Sequence, residues 1–165
     1  HCVKAIAAII LPNVGGFAGN FVVRKELKGW YETLKFPKWR PPNYIFGPVW
    51  TSLYCSMGYA SYLVWRSGGG FEGDAKLPLC LYGTQLALNW AWTPIFFGRH
   101  DLKWSSVEIL LLTTTAAATG ISFYKIHPTA GLIFIPYVAW LCFASALNLR
   151  IYWDNSPKSI EAKKD

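Results

Sequence analysis

Two amides and an indole recur on one face of an uncharged stretch in the middle of the chain. Gln85, Asn89 and Trp92 stand at i, i+4 and i+7, so a helix aligns them along one side. The stretch around them, residues 77–97, carries no charge over a length that matches the ~30 Å hydrocarbon core of a bilayer. Because lipid cannot satisfy such groups, this face must look into protein or into a cavity.

Catalytic and metal-binding signatures are missing from the sequence. It contains no Gly-rich phosphate loop, no G-x-S-x-G, no H-E-x-x-H, no clustered metal ligands and no pair of buried carboxylates. The cysteines show no paired spacing, and we interpret them as packing residues: Cys2, Cys55, Cys80 and Cys142. We therefore expect no conventional hydrolytic chemistry, no metal and no obligatory cofactor.

Large aromatic residues recur in the apolar runs and are expected to face inward from several helices. Nine Trp, nine Tyr and ten Phe make up 17% of the chain. Aromatic residues serve as interfacial anchors in membranes or as walls of pockets. An apolar cavity with a few amides suits a flat, hydrophobic ligand, whereas the same residues also fill the core of a helix bundle. The inward set is Trp50, Trp92, Trp104 and Trp140, with Ala144 and Leu147.

The composition is typical of a membrane protein. Hydrophobic residues make up 53% of the 165 residues and charged residues only 15%, so a soluble protein of this size could not bury its apolar surface. Five apolar runs occupy residues 3–23, 44–65, 77–97, 104–124 and 132–153. We predict an all-α integral membrane protein, a single domain over residues 1–165 that forms a bundle of five transmembrane helices, with a polar tail at 154–165.

Small residues at helical spacing indicate close packing on two of these runs. Gly15 and Gly19 form a G-x-x-x-G pattern, which lets another helix approach closely. Gly83 and Ala87 have the same spacing and either pack a second subunit or serve a contact within the monomer. Asn20 lies on the face of the first run that either packs against a neighbour or borders a cavity.

The longest connection, residues 24–43, contains the sequence PKWRPP. Its prolines cannot continue a helix, so the segment is predicted to be a stiff, extended or turned lid, which either gates the mouth of the bundle or is a plain interfacial loop. Trp30, Tyr31 and Trp39 are expected at headgroup level. Glu108, one turn inside the fourth run on the face of Trp104, is either a structural partner or a proton carrier.

The net charge of +7 does not require a nucleic acid partner, because the basic residues lie in short loops between apolar runs. With five spans, twelve Lys and Arg residues fall on the side of the first loop and the C-terminus, and four fall on the other side. The positive-inside rule places the first loop and the C-terminus in the cytosol.

The sequence resembles the translocator protein family, which includes the tryptophan-rich sensory proteins of bacteria. The resemblance covers residues 15–156 and rests on the segments PKWRPP, FGPVW, MGYASYLVW, GGF, QLALNWAWTPIFFG and WLCFASALN, in matching order. MGYASYLVW and LALNWAWTPIFFG are closer to the animal branch, which implies the mitochondrial outer membrane.

The resemblance implies a five-helix bundle, often a homodimer, that binds porphyrins, cholesterol and isoquinoline-carboxamide or benzodiazepine drugs and is associated with cholesterol transport and with steroid and porphyrin metabolism. Trp50 and Trp140 match the pair implicated in light-dependent porphyrin breakdown by bacterial members, which implies an alternative, enzyme-like activity. A third hypothesis is that the protein is a structural scaffold for partner proteins and binds no small molecule. Carried over by motif, the ligand site would comprise Asn20, Val23, Phe46, Gly47, Val49, Trp50, Trp92, Trp104, Val107, Leu111, Trp140, Ala144 and Leu147.

The sequence departs from the family pattern at two places. Asn20 stands where animal relatives usually carry a small apolar residue. In the segment that the family uses for cholesterol, Leu149 replaces the expected tyrosine and Trp153 the expected arginine, which puts cholesterol binding there in doubt. Leu147, Tyr152 and Lys158 still satisfy the loose L-x-Y-x-K pattern.

Overall fold

Five long helices make up most of the structure, a computed structural model that describes residues 2–156. They are α1 (Cys2–Leu27), α2 (Asn43–Ser67), α3 (Lys76–Thr93), α4 (Leu102–Ile126) and α5 (Pro128–Asn155), and no strand occurs among the described residues. α1, α4 and α5 are long and apolar enough to cross a membrane on length and composition alone. The predicted fold class, an all-α membrane protein with five spanning helices, is confirmed.

Local sequence explains where the helices begin and end. α2 starts directly after Pro42 and ends before Gly69, whose φ of 75° is a conformation that glycine adopts without strain. Asp101 caps α4, since its Oδ1 accepts a hydrogen bond of 2.9 Å from the backbone N–H of Trp104. Pro128 opens α5 at the first helical position, where its missing N–H costs nothing.

The third predicted span is α-helical only as far as Thr93. From Pro94 to Gly98 it continues as a π-helical turn, in which the N–H of Arg99 bonds to the carbonyl of Pro94 at 2.9 Å. This wider turn carries Phe96 and Phe97, both of which are buried. A 3₁₀ turn at Trp30–Thr33 follows α1, and another at Gly70–Glu72 follows α2.

The connection 28–42, the turn 99–101 and the last turn of α5 lie together at one end of the bundle. Glu26 pairs with His100 at 3.0 Å, and Trp30 stacks on the His100 ring with 4.1 Å between ring centroids. The side chain of Asn155 makes two hydrogen bonds to the backbone of Lys35, at 2.9 and 3.0 Å. We call this end the mouth end.

At the opposite end of the bundle, α4 packs closely against both α3 and α5. Phe123, Phe134 and Tyr82 form a buried aromatic cluster, with 5.1 Å between the centroids of the two phenylalanine rings. Gly131 of α5 lies directly against the backbone of Tyr124, so that a Cβ there would be only 2.6 Å from Tyr124 Cα. Nothing larger than glycine fits at this crossing.

α1 is attached to the bundle in a different way, because Pro12 is its only buried residue. Side chains of α3 pack against its glycines. A Cβ at Gly15 would overlap the Trp90 ring, and one at Gly19 would be 3.4 Å from Thr93 Cγ2. The G-x-x-x-G pattern therefore admits side chains of α3 rather than a close helix backbone.

The close backbone approach of α1 lies about two turns before Gly15, at Ala8 and Ile9. Pro12 has no N–H, so the carbonyl of Ala8 lacks its helical partner. This carbonyl points at Gly58 of α2, where a Cβ would overlap its oxygen.

Candidate ligand-binding cavity

A cavity of about 660 Å³ lies near the mouth end, between α1 and the other four helices. All five helices contribute to its wall, and the loop residue Tyr31 lies over it. Its volume falls in the range of sites that hold drug-sized molecules, about 300–1,000 Å³.

Aromatic side chains from α2, α3, α5 and the π-helical turn form a large part of the cavity wall. Trp140 lies edge-on to Trp50 with 6.3 Å between centroids and edge-on to Phe46 at 5.9 Å. On the other side Trp92 stacks on Phe96 at 4.8 Å. Trp140 also carries a buried indole N–H with no hydrogen-bond partner among residues 2–156.

A chain of buried hydrogen bonds forms the floor of the cavity. Tyr54 donates to Asn89 Oδ1 at 2.6 Å, Asn89 Nδ2 donates to the Tyr137 hydroxyl at 2.9 Å, and that hydroxyl donates to Gln85 Oε1 at 2.6 Å. Tyr54 and Asn89 face the cavity, whereas Gln85 is fully buried below them. The predicted inward orientation of Gln85 and Asn89 is therefore observed.

A second polar chain joins three helices behind Trp92. The indole N–H of Trp92 donates to Asn148 Oδ1 at 2.9 Å, and Asn148 Nδ2 donates to the Ser106 hydroxyl at 2.7 Å. Since α3, α4 and α5 each supply one member, the chain fixes the orientation of Trp92 in the wall.

The connection has no helix across its prolines, as the sequence predicts, but it begins only at residue 28 because α1 continues to Leu27. Tyr31 is the residue of this connection that borders the cavity. Tyr31 is only 6% exposed and packs on Phe97 with 5.3 Å between centroids. The Tyr31 ring therefore contacts protein and fills the space above the π-helical turn. Its position at headgroup level stays a prediction. Burial raises the pKa of the Tyr31 phenol, and the hydrogen bond and charge of Arg40 offset part of that rise.

Nine of the thirteen predicted ligand-site residues line this cavity. They come from four of the helices: Asn20 and Val23 of α1; Phe46, Gly47 and Trp50 of α2; Trp92 of α3; Trp140, Ala144 and Leu147 of α5. Val49 is partly buried against the core and does not reach the cavity.

The predicted inward orientation of Trp104, Val107 and Leu111 is wrong. Their side chains are 57%, 44% and 54% exposed and face away from the bundle. α4 instead turns a buried stripe inward, from which Ile109 and Leu112 reach the cavity. Residues 104, 107 and 111 share the other face of the helix and contact lipid in a bilayer.

Several lining residues were absent from the predicted site. Tyr31, Trp90, Phe96 and Phe97 all border the cavity. Trp90 is placed there by its packing on Gly15 and by a hydrogen bond of 3.1 Å from its indole N–H to the Pro12 carbonyl. The phenylalanines depend on the π-helical turn. Helical periodicity could not predict these positions, because Trp90 is placed by contacts with a distant helix and the phenylalanines by an irregular turn.

Glu108 has buried carboxylate oxygens and no partner within residues 2–156, so the structural partner that one interpretation requires is not found there.

The two described members of the L-x-Y-x-K pattern do not share a face. Leu147 is buried at the cavity, whereas Tyr152 is half-buried and does not line it. Lys158 lies outside the described residues.

Gly83 and Ala87 are exposed on the outer surface of α3, and a Cβ at Gly83 would meet nothing within 4 Å. The interpretation that they serve a contact within the monomer is therefore wrong.

These features define an α-helical integral membrane protein whose five spans enclose an aromatic cavity under an interfacial connection. The model of the TspO/MBR family matches residues 8–153, and the chain belongs to this family.

Similar proteins are found in animals and in archaea. The translocator protein of Bos taurus is 46% identical over 153 residues, which cover 93% of this chain and 90% of that protein. The translocator protein of Homo sapiens has the same identity and coverage. The tryptophan-rich protein TspO of Archaeoglobus fulgidus is 36% identical over 156 residues, which cover 94% of this chain and 99% of that protein. The higher identity to the mammalian proteins agrees with the predicted resemblance to the animal branch.

Proposed function

We propose that this protein binds flat, hydrophobic molecules in the cavity between α1 and the rest of the bundle. Porphyrins, cholesterol and drugs of the isoquinoline-carboxamide and benzodiazepine types are the proposed ligands, and the associated physiology is cholesterol transport and steroid or porphyrin metabolism. The observation that carries the proposal is a cavity of about 660 Å³ whose wall is mainly apolar and includes several large aromatic side chains.

The available hydrogen-bonding groups support this class of ligand. The polar groups at the floor of the cavity are already engaged: Tyr54 donates to Asn89 Oδ1, and Asn89 Nδ2 donates to the Tyr137 hydroxyl. A ligand with a large apolar area and one or two acceptors matches this arrangement better than a sugar or a peptide, whose many polar groups would lose water without compensation.

The test is a titration of the purified protein with protoporphyrin in nanodiscs and in the dark, followed by quenching of tryptophan fluorescence. Trp140→Phe removes part of the aromatic wall, so we expect saturable quenching in the wild type and an affinity lower by about tenfold in the variant.

Trp104→Phe is the matched control, because Trp104 is a tryptophan on the lipid-facing side of α4. Its affinity should equal that of the wild type. Equal losses in both variants would place the porphyrin at the outer surface, and no saturable quenching in the wild type would favour the scaffold interpretation.

A second candidate function is light-dependent porphyrin breakdown. Trp50 and Trp140 both line the cavity with 6.3 Å between their ring centroids, so an excited porphyrin bound there would be in reach of both as electron donors. Illumination should then bleach the porphyrin absorbance, and the rate should fall in Trp50→Phe. An unchanged rate in that variant would exclude this role for Trp50.

For the setting of the molecule, we propose the mitochondrial outer membrane, with the mouth end and the C-terminus in the cytosol. The excess of Lys and Arg on that side, twelve against four, supports the orientation. Cysteine labelling from one side of sealed mitochondria checks it: a cysteine at Lys38 should react with an impermeant reagent, and one at Asp74 should not.

We also propose a homodimer through the outer surface of α3. Small residues form a shallow groove there, and Gly83 has open space in front of it. Gly83→Leu should dissociate the dimer in crosslinking experiments without changing ligand affinity in the monomer.

A further inference from the structure

Arg40 lies at the mouth end and forms no ion pair with an acidic residue among residues 2–156. Arg40 donates from Nη1 to Asn43 Oδ1 at 2.6 Å and to the Tyr31 hydroxyl at 3.4 Å. The ion pairs found among residues 2–156 involve neither Arg40 nor its neighbours; they join Glu26 to His100 and Arg150 to Asp154. The positive charge of Arg40 therefore has no counter-ion within the described protein.

The guanidinium group of Arg40 is held in place, unlike that of a freely hydrated surface arginine. It lies 4.1 Å from the ring centroid of Phe36 and 5.7 Å from that of Tyr31. The side chain is half-buried, and both of its hydrogen-bond partners, Tyr31 and Asn43, line the cavity. The guanidinium group is thus fixed at the mouth end, next to two residues that line the cavity.

We propose that Arg40 recognises the anionic end of an amphipathic ligand, a carboxylate or phosphate group, while the apolar body of the ligand occupies the cavity. The inference rests on the proposed function and narrows its ligand class. A guanidinium presents paired N–H groups that match such anions, and Nε and Nη2 of Arg40 have no partner among residues 2–156.

The surrounding charges favour an anion at this place. Residues 24–43 contain six Lys and Arg residues against Glu26 and Glu32, and Glu26 is already paired with His100. A cluster of one sign raises the local concentration of the opposite charge. The headgroup of an anionic lipid offers the same chemistry as a ligand carboxylate, so the experiment must separate the two.

The test compares protoporphyrin, a dicarboxylic acid, with its dimethyl ester in nanodiscs of zwitterionic lipid, in the dark. Replacing Arg40 by glutamine removes the charge, so Arg40→Gln should bind the diacid about tenfold more weakly than the wild type does, with ester binding unchanged. Lys38→Gln is the matched control, because it removes one exposed charge two residues away. It should change either affinity by less than about twofold, since a solvent-exposed charge interacts weakly.

Equal losses for diacid and ester, or an equal loss in Lys38→Gln, would overturn the inference. A wild type that binds both probes, with Arg40→Gln affecting neither, would overturn it while leaving the proposed function intact. A wild type that binds neither probe would instead refute the cavity as a porphyrin site. If Arg40→Gln does not fold, the affinities of the wild type for the diacid and for the ester are compared at low salt. Tighter binding of the diacid would support the inference, and equal affinities would overturn it.

Nanodiscs with added anionic phospholipid separate the two sources of the anion. An unchanged preference for the diacid there would assign Arg40 to the ligand. If the wild type loses its preference for the diacid there and Arg40→Gln shows none either, Arg40 binds the lipid headgroup, and its role in recognising a ligand in the cavity is overturned. A diacid affinity that falls by the same factor in both proteins would attribute the effect to membrane charge and overturn the role of Arg40.

Discussion

α1 and α5 both cross the membrane, yet they are held in the molecule in opposite ways. α5 has nine buried residues distributed from its first turn to its last, whereas Pro12 is the only buried residue among the 26 of α1. The cavity lies where the two modes of packing meet, with α1 as one wall and the tightly packed helices as the others. A wall with few buried contacts moves at low cost, and a rigid scaffold holds the recognition groups in position.

The strongest test of this contrast is Gly131→Ala in α5. The added Cβ would lie 2.6 Å from Tyr124 Cα and 2.8 Å from Tyr124 N, and neither backbone atom can move aside alone. We expect the free energy of unfolding to fall by about 3 kcal/mol. Thermal unfolding in detergent micelles measures this loss, and Gly83→Ala, at a position with open space, is the control. A stability equal to that of the control would show that the α4–α5 crossing is not rigid.

The buried chain under the cavity should give the next largest effect. Tyr137→Phe leaves Asn89 Nδ2 and Gln85 Oε1 without their common partner. Two unsatisfied polar groups in a buried site should lower the free energy of unfolding by about 2 kcal/mol. Tyr124→Phe, an exposed tyrosine on α4, is the control in the same unfolding experiment. If the two variants unfold alike, the chain does not stabilise the floor of the cavity.

A smaller effect is expected where α1 is attached. Trp90→Phe removes the hydrogen bond of 3.1 Å to the Pro12 carbonyl and part of the ring that covers Gly15. The loss in stability should be about 1 kcal/mol, the net contribution of one hydrogen bond. Hydrogen exchange should accelerate in α1 and stay unchanged in α5. Faster exchange in both helices would mean that α1 does not open independently.

Gly19→Ala should leave stability almost unchanged, since the new Cβ would be 3.4 Å from Thr93 Cγ2, an ordinary contact distance. Because Gly19 lines the cavity, the methyl group narrows it. We expect a change in the free energy of unfolding below about 0.5 kcal/mol, together with weaker porphyrin binding by quenching. Unaltered binding would show that ligand does not contact this part of α1.

Helix positions and part of the cavity were predictable because lipid imposes strict rules. A run without charge must be a helix, and amides such as Gln85 and Asn89 must face inward. No such rule applies to Trp104, since tryptophan occurs both in protein cores and at the membrane interface. Here Lys103 lies 5.6 Å from its ring, a contact made outside the bundle. The burial of Tyr31 was likewise unpredictable, because it depends on Phe96 and Phe97 in an irregular turn.

The carbonyl of Ala8 links two residues that are 46 positions apart in the sequence. Pro12 deprives this oxygen of its helical donor, and the bare Cα of Gly58 is what lets α2 come against it. A larger residue at position 58 would therefore push α1 away and leave a carbonyl exposed to hydrocarbon. In evolutionary terms the pair should be inherited together: relatives that keep proline at position 12 should keep glycine at position 58, and a lineage that loses one is free to lose the other.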